Sequence, residues 1–367
     1  MSTAAAARRP NLASLTGFRF FAALLVVLYH AWKILDPNGW LVPVAGFGHT
    51  AVAFFFILSG FLLTWSWRPG NSVRSFYQRR FARIWPAHAL TTAIAVPVLL
   101  LTGGTIMWSA LPLVLTLTQA WLPGDTRFAF NLVSWSLACE AFFYLMFPAL
   151  ILWIEKRGRL VTLALGIFAA MVIGGGTVAI AARGQGLHFL LYTMPAYRIG
   201  EFIIGMCLAL ALRRGWRPAF RVGHAVALTV GSYAGLMLVV FLAGGSPVDV
   251  PEFIPDLLMI PAFAALIAAS AHADASGARQ SFIGSLPMVK LGQWSFALYL
   301  VHFMLFKLAE PMVDGMAPAL AGVSTVVLIA IAVGLSAALY EFFERPLEIR
   351  LRGRSRPRRD AVLEPAP

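Results

Sequence analysis

The sequence predicts an all-α integral membrane protein of about ten transmembrane helices, with the N- and C-termini in the cytoplasm. Three observations predict it. Hydrophobic residues make up 59% of the 367 and charged residues 12%, about half the charged fraction of an ordinary soluble domain. Apolar runs near the length that crosses a bilayer recur from end to end. The basic residues gather in short segments between alternate runs, which is the positive-inside pattern. That pattern accounts for the net charge of +13 without a nucleic-acid partner.

The candidate helices are 14–33, 46–66, 84–103, 136–154, 160–182, 194–212, 222–244, 253–271, 290–310 and 319–342. Arg8 and Arg9 before the first run resemble the start of a signal peptide, but Tyr29-His30-Ala31-Trp32-Lys33 offers no small-residue cleavage site. The first run is therefore kept as a helix. Basic clusters at 67–83, 155–159, 213–221 and beyond Arg345 belong on the cytoplasmic side. If 84–103 runs outward, 136–154 must run inward to place Lys156 and Arg157 with them. The shorter apolar piece 108–122, which contains Pro112, then cannot cross and is expected to be re-entrant or interfacial. The division is a cytoplasmic tail 1–11, one membrane domain 12–348 and a basic, disordered cytoplasmic tail 349–367. Cys139 and Cys207 lie in separate apolar runs and suggest neither a disulfide framework nor a metal site.

Ionisable side chains inside membrane helices cost about 2.5–3.5 kcal/mol each on insertion scales and therefore mark candidate sites. Arg19 and His30 are eleven residues apart in the first helix. That spacing puts them on one face, roughly 16 Å apart along the axis. Glu140 and Tyr144 share a face of the fourth helix, which opens with Trp135 and Ser136. Arg198 and Glu201 are i,i+3 in the sixth, and could bind substrate or satisfy each other. Ser295, Tyr299 and His302 form a stripe along the ninth, with His302 at a depth similar to His30. Arg80 and Arg83, one turn apart beside Pro86, suit a phosphate. No nucleophile elbow surrounds Ser59, no H-E-x-x-H or phosphate-binding loop is present, and no metal-ligand spacing appears.

These residues, taken in order, resemble acyltransferase family 3, a family of integral membrane proteins. The resemblance rests on Arg19-x10-His30, Phe56-Ile57-Leu58-Ser59-Gly60-Phe61 and Arg79-Arg80-x-x-Arg83-Ile84-x-Pro86. It continues through Trp135-Ser136-Leu137-x-x-Glu140, Arg198-x-x-Glu201, Ser295-x-x-x-Tyr299-Leu300-x-His302 and Glu344-Arg345-Pro346-Leu347. Phe296 stands where a tyrosine is common, and no proline follows two residues after His302. The resemblance implies ten helices and transfer of a small acyl group from acyl-CoA to a hydroxyl of a carbohydrate or glycosylated product. A cell-envelope polysaccharide and a macrolide-type metabolite both fit. It implies the bacterial plasma membrane as location and acyl-CoA as co-substrate, with no resident cofactor or metal. Some members carry a fused extracytoplasmic domain; none follows here by residue 367, so the membrane domain is expected to act alone or with a separate partner.

Both lines lead to one expected mechanism. Arg80 and Arg83, with Arg19, hold the donor's phosphates, and neutral His30 serves as general base. Glu140 or another buried carboxylate orients the imidazole, and Tyr299 or His302 donates to the oxyanion. Ser59, Trp135, Arg198 and Glu201 are the remaining candidate substrate contacts. Direct transfer and an acyl-His30 intermediate both fit. A transporter without chemistry is the competing class, since broken helices and buried charges serve transport as well.

Overall fold

The computed structural model describes residues 10–36, 39–68, 70, 72–278 and 282–351. Ten helices in it are long and apolar enough to cross a membrane. Their helical cores are α1 (Ala13–Leu35), α2 (Ala51–Ser66), α3 (Val73–Leu101), α4 (Trp135–Glu155) and α5 (Leu160–Ala181). The second half comprises α6 (Pro195–Arg213), α7 (Val222–Leu242), α8 (Phe253–Ala275), α9 (Leu286–Val313) and α10 (Pro318–Leu339). The expected tails fall mostly on residues 1–9 and 352–367, which lie outside the described residues.

Local chemistry sets the helix ends. Pro195 and Pro318 open α6 and α10, where the missing N–H costs nothing because the first amides of a helix have no internal partner. Gly215, at φ +88°, turns the chain out of α6 in a conformation that side-chain-bearing residues resist. Ser72 caps α3 by accepting from the Ser75 amide at 3.4 Å. That cap starts α3 at Val73, eleven residues before the hydropathy reading begins its helix at 84, so Arg74, Arg79, Arg80 and Arg83 stand on the helix rather than in a loop. The last span also continues further, through a π-helical turn at Tyr340–Glu344 into Arg345–Leu351.

Burial divides the helices into layers. Most of α2, α6 and α8 is enclosed by protein, whereas α5, α7 and α10 are largely bare. On α7, Val230, Leu238, Val239 and Phe241 are exposed, as a lipid-facing surface requires. In a bilayer there is no hydrophobic drive between helices, so the centre must be held by close backbone packing. The α2–α6 contact shows it. A Cβ at Gly60 would lie 1.9 Å from the Phe202 carbonyl oxygen, and one at Gly205 would lie 1.9 Å from that of Ile57. The α1–α9 pair repeats the device, since a Cβ at Gly292 would sit 1.8 Å from the Thr16 carbonyl oxygen. Gly205→Ala is therefore expected to cost about 3 kcal/mol, the upper end of the overpacking range. Thermal unfolding in detergent checks it, and an unchanged midpoint would show that α2 and α6 can part freely.

The segment between α3 and α4 does not cross. It folds into short turns around Leu111–Leu115. Trp85 Nε1 donates to the Leu115 carbonyl at 3.1 Å, and His88 Nε2 lies 2.8 Å from that of Val114. Trp85 is sixteen residues before the end of α3, about 24 Å along its axis. The piece thus descends roughly half way along α3 and returns, the first of the two forms, re-entrant or interfacial, expected for it. Pro10 and Leu12 share a cavity wall with Arg83, and Arg83 lies 3.8 Å from Glu348, so both described ends meet at one face. That face carries the basic clusters and is called the basic face below.

Candidate active site

Two cavities are stacked along the bundle. The larger, of about 720 Å³, opens between α1, α2, α3, α4 and α9 toward the basic face and is lined by Arg19, Arg68, Arg80, Arg83, Ser59 and Glu140. The smaller, of about 310 Å³, lies toward the opposite face and is lined by His30, Lys33, His49, Trp135, His188 and Glu252. Arg19 and His30, on one face of α1, thus mark different chambers, as their axial separation demands. Arg80 and Arg83 reach the larger one because α3 begins early enough to carry them.

His30 and His302 meet. Nδ1 of His30 lies 3.0 Å from Nε2 of His302, and Nδ1 of His302 lies 2.9 Å from the Leu298 carbonyl oxygen. A carbonyl only accepts, so His302 carries its proton on Nδ1 and offers a lone pair at Nε2. That lone pair fixes the His30 proton on Nδ1 and leaves the His30 lone pair on Nε2. The backbone of α9 thereby dictates which nitrogen of His30 is basic. His302 is fully buried with both ring nitrogens engaged. It has no ring N–H left for the oxyanion contact expected of it, and its Nε2 faces His30 instead.

Three expectations need correction. Glu140 does not orient His30. Its Oε1 accepts from Ser59 Oγ at 3.0 Å and from the Tyr144 hydroxyl at 2.6 Å, all in the larger cavity. The reason is depth: Glu140 lies a turn and a half into α4, below the level of His30. Tyr299 is not placed to donate to an oxyanion either. Its hydroxyl is 2.9 Å from Ser136 Oγ and 3.1 Å from the Val133 carbonyl, so it ties α9 to the start of α4. Arg198 and Glu201 line neither cavity. Arg198 is fully buried, pairs with Asp256 on α8, lies 3.3 Å from Glu201, and sits over the Phe56 and Tyr192 rings.

Asp256 escaped the sequence reading, although an aspartate four residues into an apolar run was the signal to heed. The outer charged group escaped as well. Arg127 Nη2 lies 3.2 Å from His188 Nδ1, and His188 Nε2 lies 3.9 Å from Glu252. Glu252, His188, His49 and Lys33 border the smaller cavity beside the rings of Trp135, Tyr192, Phe128 and Phe303. Ordered backbone from the long segment before α4 forms part of this wall. Asn131 Nδ2 donates to the Leu300 carbonyl at 2.9 Å and so docks the segment on α9. Polar groups on an aromatic lining suit a polyhydroxylated ligand, whose hydroxyls and apolar faces need both.

Comparison with known proteins gives a consistent picture. A family profile described as an acyltransferase domain matches residues 12–341. Among curated proteins, the "Acyltransferase MdmB" of Streptomyces mycarofaciens is 36% identical over 95% of this chain and 94% of its own length. The "Nodulation protein 10" of Rhizobium leguminosarum bv. viciae is 32% identical over 42% of this chain and 49% of its own. The "O-acetyltransferase OatA" of Staphylococcus aureus is 23% identical over 92% of this chain, which spans 57% of that longer protein. No solved structure matches.

Proposed function

The chain belongs to acyltransferase family 3 and is a multi-pass membrane O-acyltransferase; from that premise we propose that it takes its acyl group from acyl-CoA on the basic face and delivers it to a sugar hydroxyl in the smaller chamber. The basic face is the cytoplasmic one by the positive-inside rule, which is where the CoA pool lies. The observation that carries the reading is the His30–His302 pair standing above an arginine-lined cavity. Arg19, Arg80 and Arg83 hold the donor's phosphates by charge-assisted hydrogen bonds. The pantetheine arm then spans the roughly 16 Å between the levels of Arg19 and His30.

The chemistry follows from the tautomer. Nε2 of His30 takes the proton of the acceptor hydroxyl as that oxygen attacks the thioester carbonyl. The resulting imidazolium keeps its Nδ1–H on His302. When the carbon–sulfur bond breaks, the Nε2 proton passes to the departing thiolate, which leaves as free CoA. Nε2 is the one free ring nitrogen of His30, and direct transfer and transient acylation at that same nitrogen both use this geometry. The acceptor is a carbohydrate or a glycosylated small molecule such as a macrolide-type metabolite, and the mixed polar and aromatic walls of the smaller chamber support that choice.

The test uses purified protein in detergent with acetyl-, propionyl- and longer acyl-CoAs, following free thiol with and without a panel of sugar and macrolide acceptors. Thiol release that needs an acceptor is expected. In the same assay Arg80→Ala and Arg83→Ala should each raise the donor KM about 10–100-fold, since a hydrogen bond to a charged group contributes ~1.5–3 kcal/mol. Absence of both thiol release and acyl-CoA binding would return the reading to a transporter.

A further inference from the structure

The two chambers share only two lining residues among those described, Val52 and Tyr299. Resting on the acyl-CoA reading above, we propose that these two side chains form an apolar neck that sets the size of the acyl group the enzyme accepts. Val52 and Tyr299 mark where the two chambers adjoin, between the arginines and His30. Arg19, Arg80 and Arg83 line the chamber below the neck, and His30 lines the one above it. The thioester carbonyl must therefore stand at the neck when it reacts, with its carbon chain packed against the neck walls.

Those walls cannot yield much. The Tyr299 ring is held by its hydroxyl, 2.9 Å from Ser136 Oγ and 3.1 Å from the Val133 carbonyl. Val52, on α2, is 4% exposed, and a β-branched side chain on a helix keeps essentially one rotamer. Nor can α2 back away, because Gly60 and Gly205 already bring it to backbone contact with α6. Beyond the neck, Val26 and Phe303 continue the apolar lining toward His30. A rigid apolar aperture discriminates by steric fit, and one methylene in such a site changes kcat/KM about 10–200-fold.

The experiment compares kcat/KM for acetyl-, propionyl-, butyryl- and isovaleryl-CoA, each relative to the best donor of the wild type. Val52→Ala should shift the ratio of isovaleryl- to acetyl-CoA upward by about tenfold or more. Val52→Leu should shift it downward. Tyr299→Phe, which keeps the ring but releases it from Val133 and Ser136, should move the ratio in the same direction as Val52→Ala. If Val52→Ala cannot be purified, the opposite shift in Val52→Leu carries the test. Unchanged donor ratios in active variants at both positions would overturn the neck while leaving the acyl-CoA reading intact. No thiol release from any donor by the wild type would overturn both.

Discussion

His30→Ala is expected to lower kcat for acyl transfer about 10³-fold, the middle of the range for a positioned general base, while acyl-CoA binding stays unchanged. The separation follows from the two chambers, because Arg19, Arg80 and Arg83, the proposed phosphate contacts, line one and His30, the proposed base, lines the other. Stopped thiol release together with normal donor binding by calorimetry is the expected pair of results. Equal loss of both would mean that His30 supports the fold instead. His302 gives the sharper comparison. His302→Leu removes the acceptor for the His30 Nδ1–H and frees the ring to turn or to change tautomer. His302→Gln offers an amide oxygen to the same proton. The leucine variant should lose about 10²-fold in kcat, the lower end of the same range, and the glutamine variant should recover part of that loss without a change in KM. Equal loss in the two variants would sink the orienting role, because a simple packing defect has no reason to favour glutamine.

That pairing shows what the sequence could and could not yield. The depth of His30 and His302 is legible, since helix rise and the run boundaries place both in the outer part of their helices. Their contact is also foreseeable, because two ionisable groups at one depth in a membrane protein tend to face the interior together. Glu140 shows the limit. Its spacing from Tyr144 correctly places both on one face of α4, and they bond at 2.6 Å. Which other helix that face meets is a packing question, and the answer, Ser59 on α2, depends on how α2 is held by Gly60 against α6. The early start of α3 was hidden for another reason. Hydropathy registers the membrane, whereas Val73 to Arg83 form a helix through the Ser72 cap and the absence of any breaker. The long segment before α4 was recognised as non-crossing from the parity of the charged loops. Its docking through Asn131 on Leu300 had no signal in local sequence, since it joins positions 169 residues apart.

Asp256→Ala is expected to be among the most destabilising single changes in the molecule, by about 3–5 kcal/mol, the cost of breaking a buried ion pair from one side. Arg198 is fully enclosed and faces Asp256 and Glu201, both buried. Without Asp256 the guanidinium keeps the Phe56 and Tyr192 rings and the weaker geometry to Glu201, whose two carboxylate oxygens have no hydrogen-bond partner among the described residues. Arg198→Met should be at least as damaging, because it leaves two carboxylates enclosed together with no cation. Glu201→Gln should cost less than either, since it leaves the Arg198–Asp256 pair in place. Cys139 and Cys207 are both buried and free, so the rate at which a thiol dye labels them on heating reports unfolding directly. The order Arg198→Met, Asp256→Ala, Glu201→Gln in falling severity is expected, and the double variant Arg198→Met with Asp256→Leu should recover stability over Arg198→Met alone. Recovery is the telling arm: an apolar replacement of a buried pair is often neutral, whereas a substrate-binding arginine would stay inactive however well the variant folds. A stable Asp256→Ala protein with a raised donor KM would reverse the assignment and return Arg198 and Glu201 to the substrate.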